Sequence, residues 1–308
     1  MTQPLGPDGP ARDGPQAGVP TCYRHPGRET YVRCARCDRP ICPDCMTSAA
    51  VGFQCPECIR DGRASVREAR TLAGGRVGSR PGVVTRTIVY VTVGVFVLQV
   101  LSGEVTRQLA LVNFAVAAGE WYRLITVTLV HGSILHVAFN MYALWLVGQQ
   151  VEVWLGRWRF LTLYLVSALA GSSLSYAFGG GYSVGASGAI FGVFGALAVL
   201  YRRLGYDPRP ALALIVINLA LTFAIPTIDW HAHVGGLVAG VLLTLAFAYA
   251  PRRWRTQVAV ATTAVLVVVS LGLVAGRTAT LRQDPRQQAC IQQVSTCLKL
   301  LQTDVSGL

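Results

Sequence analysis

A serine hydroxyl is a weak nucleophile until a neighbouring base takes its proton. This chain places one, Ser187, in the string SVGASGAIFG (183–192), at the start of a run that carries no charge through Tyr201. Four of the five histidines, His131, His136, His231 and His233, fall in two further strings, HGSILHVAFN (131–140) and DWHAHVGG (229–236). Ser187 and His233 suit a nucleophile and its general base. A serine at a helix N-terminus also has free N–H groups and a positive dipole end beside the oxyanion that attack on a carbonyl would create. His136 and Asn140 stand at i and i+4, so they share a helix face and can add side-chain donors to that hole. Asp229, four residues before His233, is placed to orient the imidazole as a triad acid would. His231 lies two positions from His233, points elsewhere on a helix, and reads as an interfacial histidine.

A second chemistry sits near the N-terminus. The pairs Cys22/His25, Cys34/Cys37, Cys42/Cys45 and Cys55/Cys58 each enclose two residues. That spacing lets both side chains of a pair grip one ion from a tight turn, and eight N/S ligands complete two closed tetrahedral zinc sites. With no open coordination position the two Zn2+ would be structural, and their binding would supply most of the folding free energy of so short a segment.

The elements that must hold these residues are membrane helices. Hydrophobic residues make up 52% of the 308 and charged residues only 14%, which excludes an ordinary soluble globular protein. Apolar windows fall at 87–103, 124–148, 160–178, 186–201, 211–226, 230–250 and 257–276. Each approaches the ~20 residues a spanning helix needs, which predicts seven. Gly188, Gly192 and Ala196 recur at four-residue spacing below Ser187, and Gly236 and Gly240 do so below His233. Small faces of this kind allow two membrane helices to approach closely, and the serine and the histidine each head one; Gly185 is read with the same packing set.

Net charge is +12, and its placement orients the chain. Arginines crowd before the first window, with Arg60, Arg63, Arg67, Arg70, Arg76, Arg80 and Arg86, and recur at Arg157 and Arg159, at Arg202, Arg203 and Arg209, and at Arg252, Arg253 and Arg255. Those are alternate loops, so the N-terminus is expected in the cytoplasm and the Ser187 loop outside. Arginines spread over helix ends are no nucleic-acid face, and no nucleic-acid partner is expected. The first 20 residues, with five prolines and four glycines, read as a disordered leader rather than a secretory signal. The polar linker at 61–85 is expected along anionic lipid headgroups. Seven spans put residues 277–308 outside, where Cys290 and Cys297 can oxidise. On one straight helix their Cα atoms would be ~10 Å apart, so a bridge needs a bend or a second chain.

The string CYRHPGRETYVRCARCDRPICPDC, followed by CPEC, resembles a B-box zinc finger. The ligands of that family interleave, which implies one ion on Cys22, His25, Cys42 and Cys45 and the other on Cys34, Cys37, Cys55 and Cys58. The departure is the last pair, cysteines where the family often has histidines. GASG with its serine third, AHVGGLVAG (232–240) and the H-x4-H-x3-N of 131–140 resemble the rhomboid family of intramembrane serine proteases, over residues 86–250. The resemblance implies a catalytic dyad of Ser187 and His233, with His136 and Asn140 assisting the oxyanion. EWYR (120–123) is similar to the family's E-x-W-R signature, with Tyr122 in place of the usual tryptophan.

The expected architecture is an all-α polytopic membrane protein: a six-helix rhomboid core at 86–250, a seventh transmembrane helix at 251–276 and a tail at 277–308, preceded by a cytoplasmic double zinc-binding domain at 21–60. The expected activity is hydrolysis of transmembrane protein substrates near the outer membrane surface, with a polar cavity admitting water to the dyad. The lipid bilayer is a partner throughout, and the zinc domain docks a cytosolic protein. Lys299 is the only lysine, a usage that fits a GC-rich bacterial genome and hence a bacterial plasma membrane. The competing expectation is a noncatalytic membrane scaffold governed by the zinc domain.

Overall fold

The structure is a computed structural model that describes residues 18–65, 71, 81–179, 181–226 and 228–305. Most of the leader lies outside the described residues, as do Arg67, Arg70, Arg76 and Arg80 of the linker. The chain divides into two compact units, residues 1–68 and 69–308.

In the first unit, two hairpins pair β1 (Thr21–Cys22) with β2 (His25–Glu29) and β3 (Thr47–Ser48) with β4 (Phe53–Gln54). They precede α1 (Pro56–Ser65), whose proline occupies the first helical position, where a missing N–H costs nothing. The buried interior consists of Cys22, Cys34, Ile41, Cys42, Cys45, Cys55 and Cys58. One aliphatic side chain among six thiols is not a hydrophobic core, so cohesion has to come from elsewhere.

The second unit is helical. α2 (Val83–Leu101) is rich in valine and threonine, types that favour strands in water, yet it is a helix. In lipid only a helix or a closed barrel satisfies every backbone group. Its N-terminus is capped from a distance, because the buried Glu152 carboxylate accepts from Val84 N (3.0 Å), Thr85 N (2.8 Å) and Thr85 Oγ1 (2.9 Å). α3 (Gly103–Leu109), β5 (Leu111–Val112) and α4 (Asn113–Ala118) form the connection that follows. Arg123, only 1% exposed, pairs with Glu120 at 2.5 Å and donates to the carbonyls of Arg107 (2.6 Å) and Ala110 (2.8 Å). A buried guanidinium with so many acceptors is compensated, and it ties this connection to the next span; the exposed Tyr122 adds a hydroxyl bond to Glu120 at 3.3 Å and a ring face 5.6 Å from the guanidinium.

The 124–148 window is not one helix. α5 (Arg123–Thr126) and a 3-10 turn (Val127–Leu129) lead into a break at 130–133. The chain resumes, bent by 96°, as α6 (Ile134–Ala143), a π turn (Leu144–Gly148) and α7 (Gln149–Leu155). Ser133 restarts it as N-cap, its hydroxyl accepting from His136 N at 3.1 Å. α8 (Arg157–Phe178), β6 (Tyr182–Ser183), α9 (Ser187–Leu204), α10 (Arg209–Ala224), α11 (Trp230–Tyr249) and α12 (Arg255–Gln283) follow. Each of the seven apolar windows therefore contains helix, but among the described residues five helices are long and apolar enough to cross a membrane, or six if the bent pair counts as one span. α10, at 16 residues, reaches only about 24 Å.

α8, α9 and α11 pack together as the buried centre, and α12 lies against α8 and α11. β5 pairs with β6, Leu111 opposite Ser183 and Val112 opposite Tyr182, which anchors the loop that precedes Ser187. Beyond α12, α13 (Pro285–Gln292) and α14 (Val294–Val305) fold back onto α3 and α4. Gln293 between them leaves helical geometry (φ −127°, ψ 56°). That bend brings Cys290 and Cys297 to a Cα separation of 5.5 Å, and the two are joined as a disulfide within one chain.

Candidate active site and metal clusters

Ser187 opens α9 and is half-buried; His233 sits in the first turn of α11 and is 6% exposed. His233 Nε2 lies 2.7 Å from Ser187 Oγ. Two helices carrying ordinary side chains could not bring these groups so close. A Cβ on Gly236 would overlap the Gly188 carbonyl, one on Gly240 would overlap the Gly192 backbone, and one on Gly188 would stand 3.0 Å from the Ala232 oxygen. The glycine faces expected on α9 and α11 thus meet in register. A third face, on α8, escaped the sequence reading: a Cβ on Gly171 would come within 2.6 Å of Ala232 O, and one on Gly235 within 2.8 Å of Ala170 O. Its signal was the four-residue spacing of Ser167, Gly171 and Ser175.

The His233 ring is fixed on both sides. It stacks on Phe191, one turn below Ser187 on α9, with centroids 4.3 Å apart and planes 15° apart. Its other nitrogen, Nδ1, is 2.7 Å from Thr222 Oγ1 on α10. Asp229 is not its partner. That carboxylate caps α11, accepting from His231 N at 3.2 Å, and also bonds Ser175 Oγ and the His231 ring. An Asp at N-cap is drawn to its own helix terminus, which turns it away from the position four residues on. His231 stacks on Trp230 with centroids 3.8 Å apart and does not bond the dyad.

The donor side comes from α6. Gly132 N–H is aimed at His136 Nδ1 (3.4 Å), so the neutral ring carries its proton on Nε2. That nitrogen faces Gly185, where an added Cβ would be 2.8 Å from it. Gly185 has φ +122° and its N–H donates to Val127 O at 3.0 Å. It is therefore a loop residue that makes room for the His136 ring, and not part of the helix-packing set in which the sequence placed it. Asn140 lies one turn further along α6, its side-chain amide donating to His136 O at 2.8 Å. His131 is 2% exposed and accepts from Ala186 N at 3.4 Å, holding the residue before Ser187. A hydroxyl on an imidazole at a helix N-terminus, with a second imidazole's N–H across the loop, is equipped for acyl transfer.

In the first unit the ligand atoms of Cys22, His25, Cys42 and Cys45 all lie within 4.8 Å of one another, and so do those of Cys34, Cys37, Cys55 and Cys58. His25 Nδ1 is 3.8, 3.3 and 3.4 Å from the sulfurs of Cys22, Cys42 and Cys45, and Cys37 Sγ is 3.8 Å from Cys55 Sγ. Ligands at ~2.3 Å from a tetrahedral ion are separated by just such distances, whereas disulfide sulfurs are ~2.05 Å apart. Burial pushes the Cys34 thiol up, but the backbone N–H groups of Cys55, Arg36 and Cys37 outweigh it and bring it down to about 6, whereas the neighbouring sulfurs and burial raise Cys58 of the same group to about 12. Each group can hold one metal ion, in the interleaved arrangement.

Comparison with known proteins agrees with this geometry. The Rhomboid domain description matches residues 118–250. Putative rhomboid protease YdcA of Bacillus subtilis is 37% identical over 144 residues, 43% of this chain and 70% of YdcA. The chain belongs to the rhomboid family. Other rhomboid relatives are Rhomboid protease GluP of Bacillus subtilis, 43% identical over 136 residues, and RHOMBOID-like protein 5 of Arabidopsis thaliana, 37% identical over 144. These matches cover 42% and 44% of this chain, but only 26% and 46% of those two relatives. As a rhomboid with five or six candidate spans among the described residues, the chain is a multi-pass membrane protein. The rhomboid match leaves residues 22–58, with both metal clusters, outside it.

Proposed function

We propose that this rhomboid is an intramembrane serine endopeptidase that cleaves transmembrane protein substrates near the outer membrane surface. One observation carries the reading: the 2.7 Å approach of His233 Nε2 to Ser187 Oγ at the N-terminus of α9. As Ser187 Oγ attacks the scissile carbonyl carbon, its proton passes to His233 Nε2. The carbonyl oxygen becomes an oxyanion, met by the α9 N-terminus, by His136 Nε2–H and by the Asn140 amide on the same face. Collapse breaks the C–N bond, His233 returns the proton to the departing amine, and the acyl group stays on Ser187. Water, deprotonated by His233, then releases the second product.

The same reading divides the chain into a leader (1–20), a zinc domain (21–60), a linker (61–85), the protease core (86–250), a seventh span (251–276) and a tail (277–308). The zinc domain binds two structural Zn2+ and docks a cytosolic partner. The N-terminus lies in the cytoplasm of a bacterial cell and the C-terminus outside its plasma membrane. Support for that orientation comes from the cysteines. Cys290 and Cys297 pack in one cluster with Val184, three residues before Ser187, and are oxidised, whereas the seven cysteines of the first unit are free thiols. Disulfides belong to oxidising compartments.

The test is incubation of the purified protein with a fluorescent model transmembrane substrate, with and without a serine-reactive fluorophosphonate. Cleavage and labelling are expected in wild type and in neither Ser187→Ala nor His233→Ala, since nucleophile and base act as a unit. Cleavage by Ser187→Ala would sink the mechanism. A folded wild type that neither cleaves nor labels would favour the noncatalytic scaffold.

A further inference from the structure

The strongest polar contact that the dyad leaves unexplained is the one on the far side of His233. Thr222 is one of three buried residues on α10, with Ala211 and Ile215, and is 3% exposed. Its flanking side chains Leu221 and Phe223 are exposed. Burial alone gives a hydroxyl no advantage there over the isosteric valine. A bond from Thr222 Oγ1 to the Asn218 carbonyl, at 2.7 Å, is what a threonine commonly makes within a helix. The second contact, 2.7 Å from Oγ1 to His233 Nδ1, reaches a different helix.

Proton counting gives these two contacts a direction. A hydroxyl has one hydrogen to donate. The Asn218 carbonyl can only accept, so that hydrogen goes to it, and the lone pair of Oγ1 is left facing Nδ1. The partner nitrogen must then be the protonated one. In a neutral imidazole this strips the proton from Nε2, the nitrogen 2.7 Å from Ser187 Oγ.

We propose that Thr222 is a positioning residue that holds His233 in the Nδ1–H tautomer and so keeps Nε2 free to act as base toward Ser187. The inference rests on the Ser187–His233 reading. It turns the pair into a relay running from Asn218 O through Thr222 Oγ1 and His233 to Ser187, with the third member supplied by α10. As the serine's proton arrives at Nε2, the imidazolium keeps its Nδ1–H bond to an acceptor already in place.

The experiment uses the full-length protein in detergent, with three readouts: kcat and KM on the fluorescent substrate, the rate of fluorophosphonate labelling, and the ring-nitrogen chemical shifts of 15N-histidine-labelled protein. Thr222→Val should lower kcat and the labelling rate about 2- to 10-fold, the worth of one neutral hydrogen bond, at unchanged KM. It should also move His233 toward the Nε2–H tautomer. Thr222→Ser, which restores the hydroxyl, should recover most of the rate and the Nδ1–H signal. Wild-type kcat and tautomer in Thr222→Val would overturn the inference and leave the dyad standing. So would equal losses in Val and Ser variants with lowered Tm, which would make the role one of packing. If wild type itself fails to label, the dyad reading falls first and this inference falls with it.

Discussion

Gly185 and His136 meet where there is room for a hydrogen and nothing larger. Gly185→Ala would be strained twice, by φ +122° and by a methyl 2.8 Å from the imidazole. The ring must then turn away from the loop in front of Ser187. Loss of one oxyanion donor typically costs ~10²- to 10³-fold in kcat, so both Gly185→Ala and His136→Ala should fall in that range. The double variant should be little worse than either single one, because both changes remove the same donor. Strictly multiplicative kinetics would separate Gly185 from His136. Asn140→Ala should cost less than His136→Ala, since the Asn140 amide is already engaged with its own helix at 2.8 Å.

Among the elements, the contact of α9 with α11 decides whether the dyad exists at all. Gly236→Ala puts a methyl into the Gly188 carbonyl, which is backbone and cannot rotate aside. Overpacking of this kind costs about 1–3 kcal/mol. A fall in Tm together with loss of labelling is the expected result. Gly272→Ala on α12 is the control, with no atom within 4 Å of the added methyl, and should leave both unchanged. If both variants behaved alike, close approach would not be what the glycines provide. These two faces were legible because four-residue spacing is a local pattern. The α8 face has the same spacing but heads no reactive residue, so nothing drew attention to it. The 96° bend was hidden because the window is largely apolar on both sides of a break marked only by His131, Gly132 and Ser133. Thr222 had no signal in sequence, since its only distinction is a contact made across helices. Asp229 had a tempting position four residues before His233, but an Asp directly before an apolar run is also an N-cap signal, and the cap is the role it takes.

For the whole molecule, the two units should be separable. Metal analysis is expected to give two zincs per chain. A strong chelator should unfold the first unit, whose interior offers Ile41 and six thiols in place of a core, while the second keeps its helicity. Removal of residues 1–60 should leave cleavage in detergent near the wild-type value; complete loss of activity in a folded truncation would mean that the units are coupled. The sequence made both metal groups plain, because ligand spacing is local. It left open whether the tail cysteines were bridged, because that depended on a bend at Gln293. Reduction of this bridge should loosen α13 and α14 by about 2 kcal/mol, seen as faster amide exchange over 285–300.

The bridge also sets a condition on handling the protein. Of nine cysteines, seven must stay reduced to bind metal and two must be oxidised to clip the tail. No single thiol buffer serves both ends. A reductant strong enough to protect the first unit opens the clip, and an oxidant that closes the clip threatens the metal ligands with mispairing. On the proposed orientation a cell meets both demands at once, because the two ends then face different compartments. Protein synthesised without a membrane to divide the compartments should carry either nine thiols or scrambled bridges, and its tail would be the first region to betray the difference.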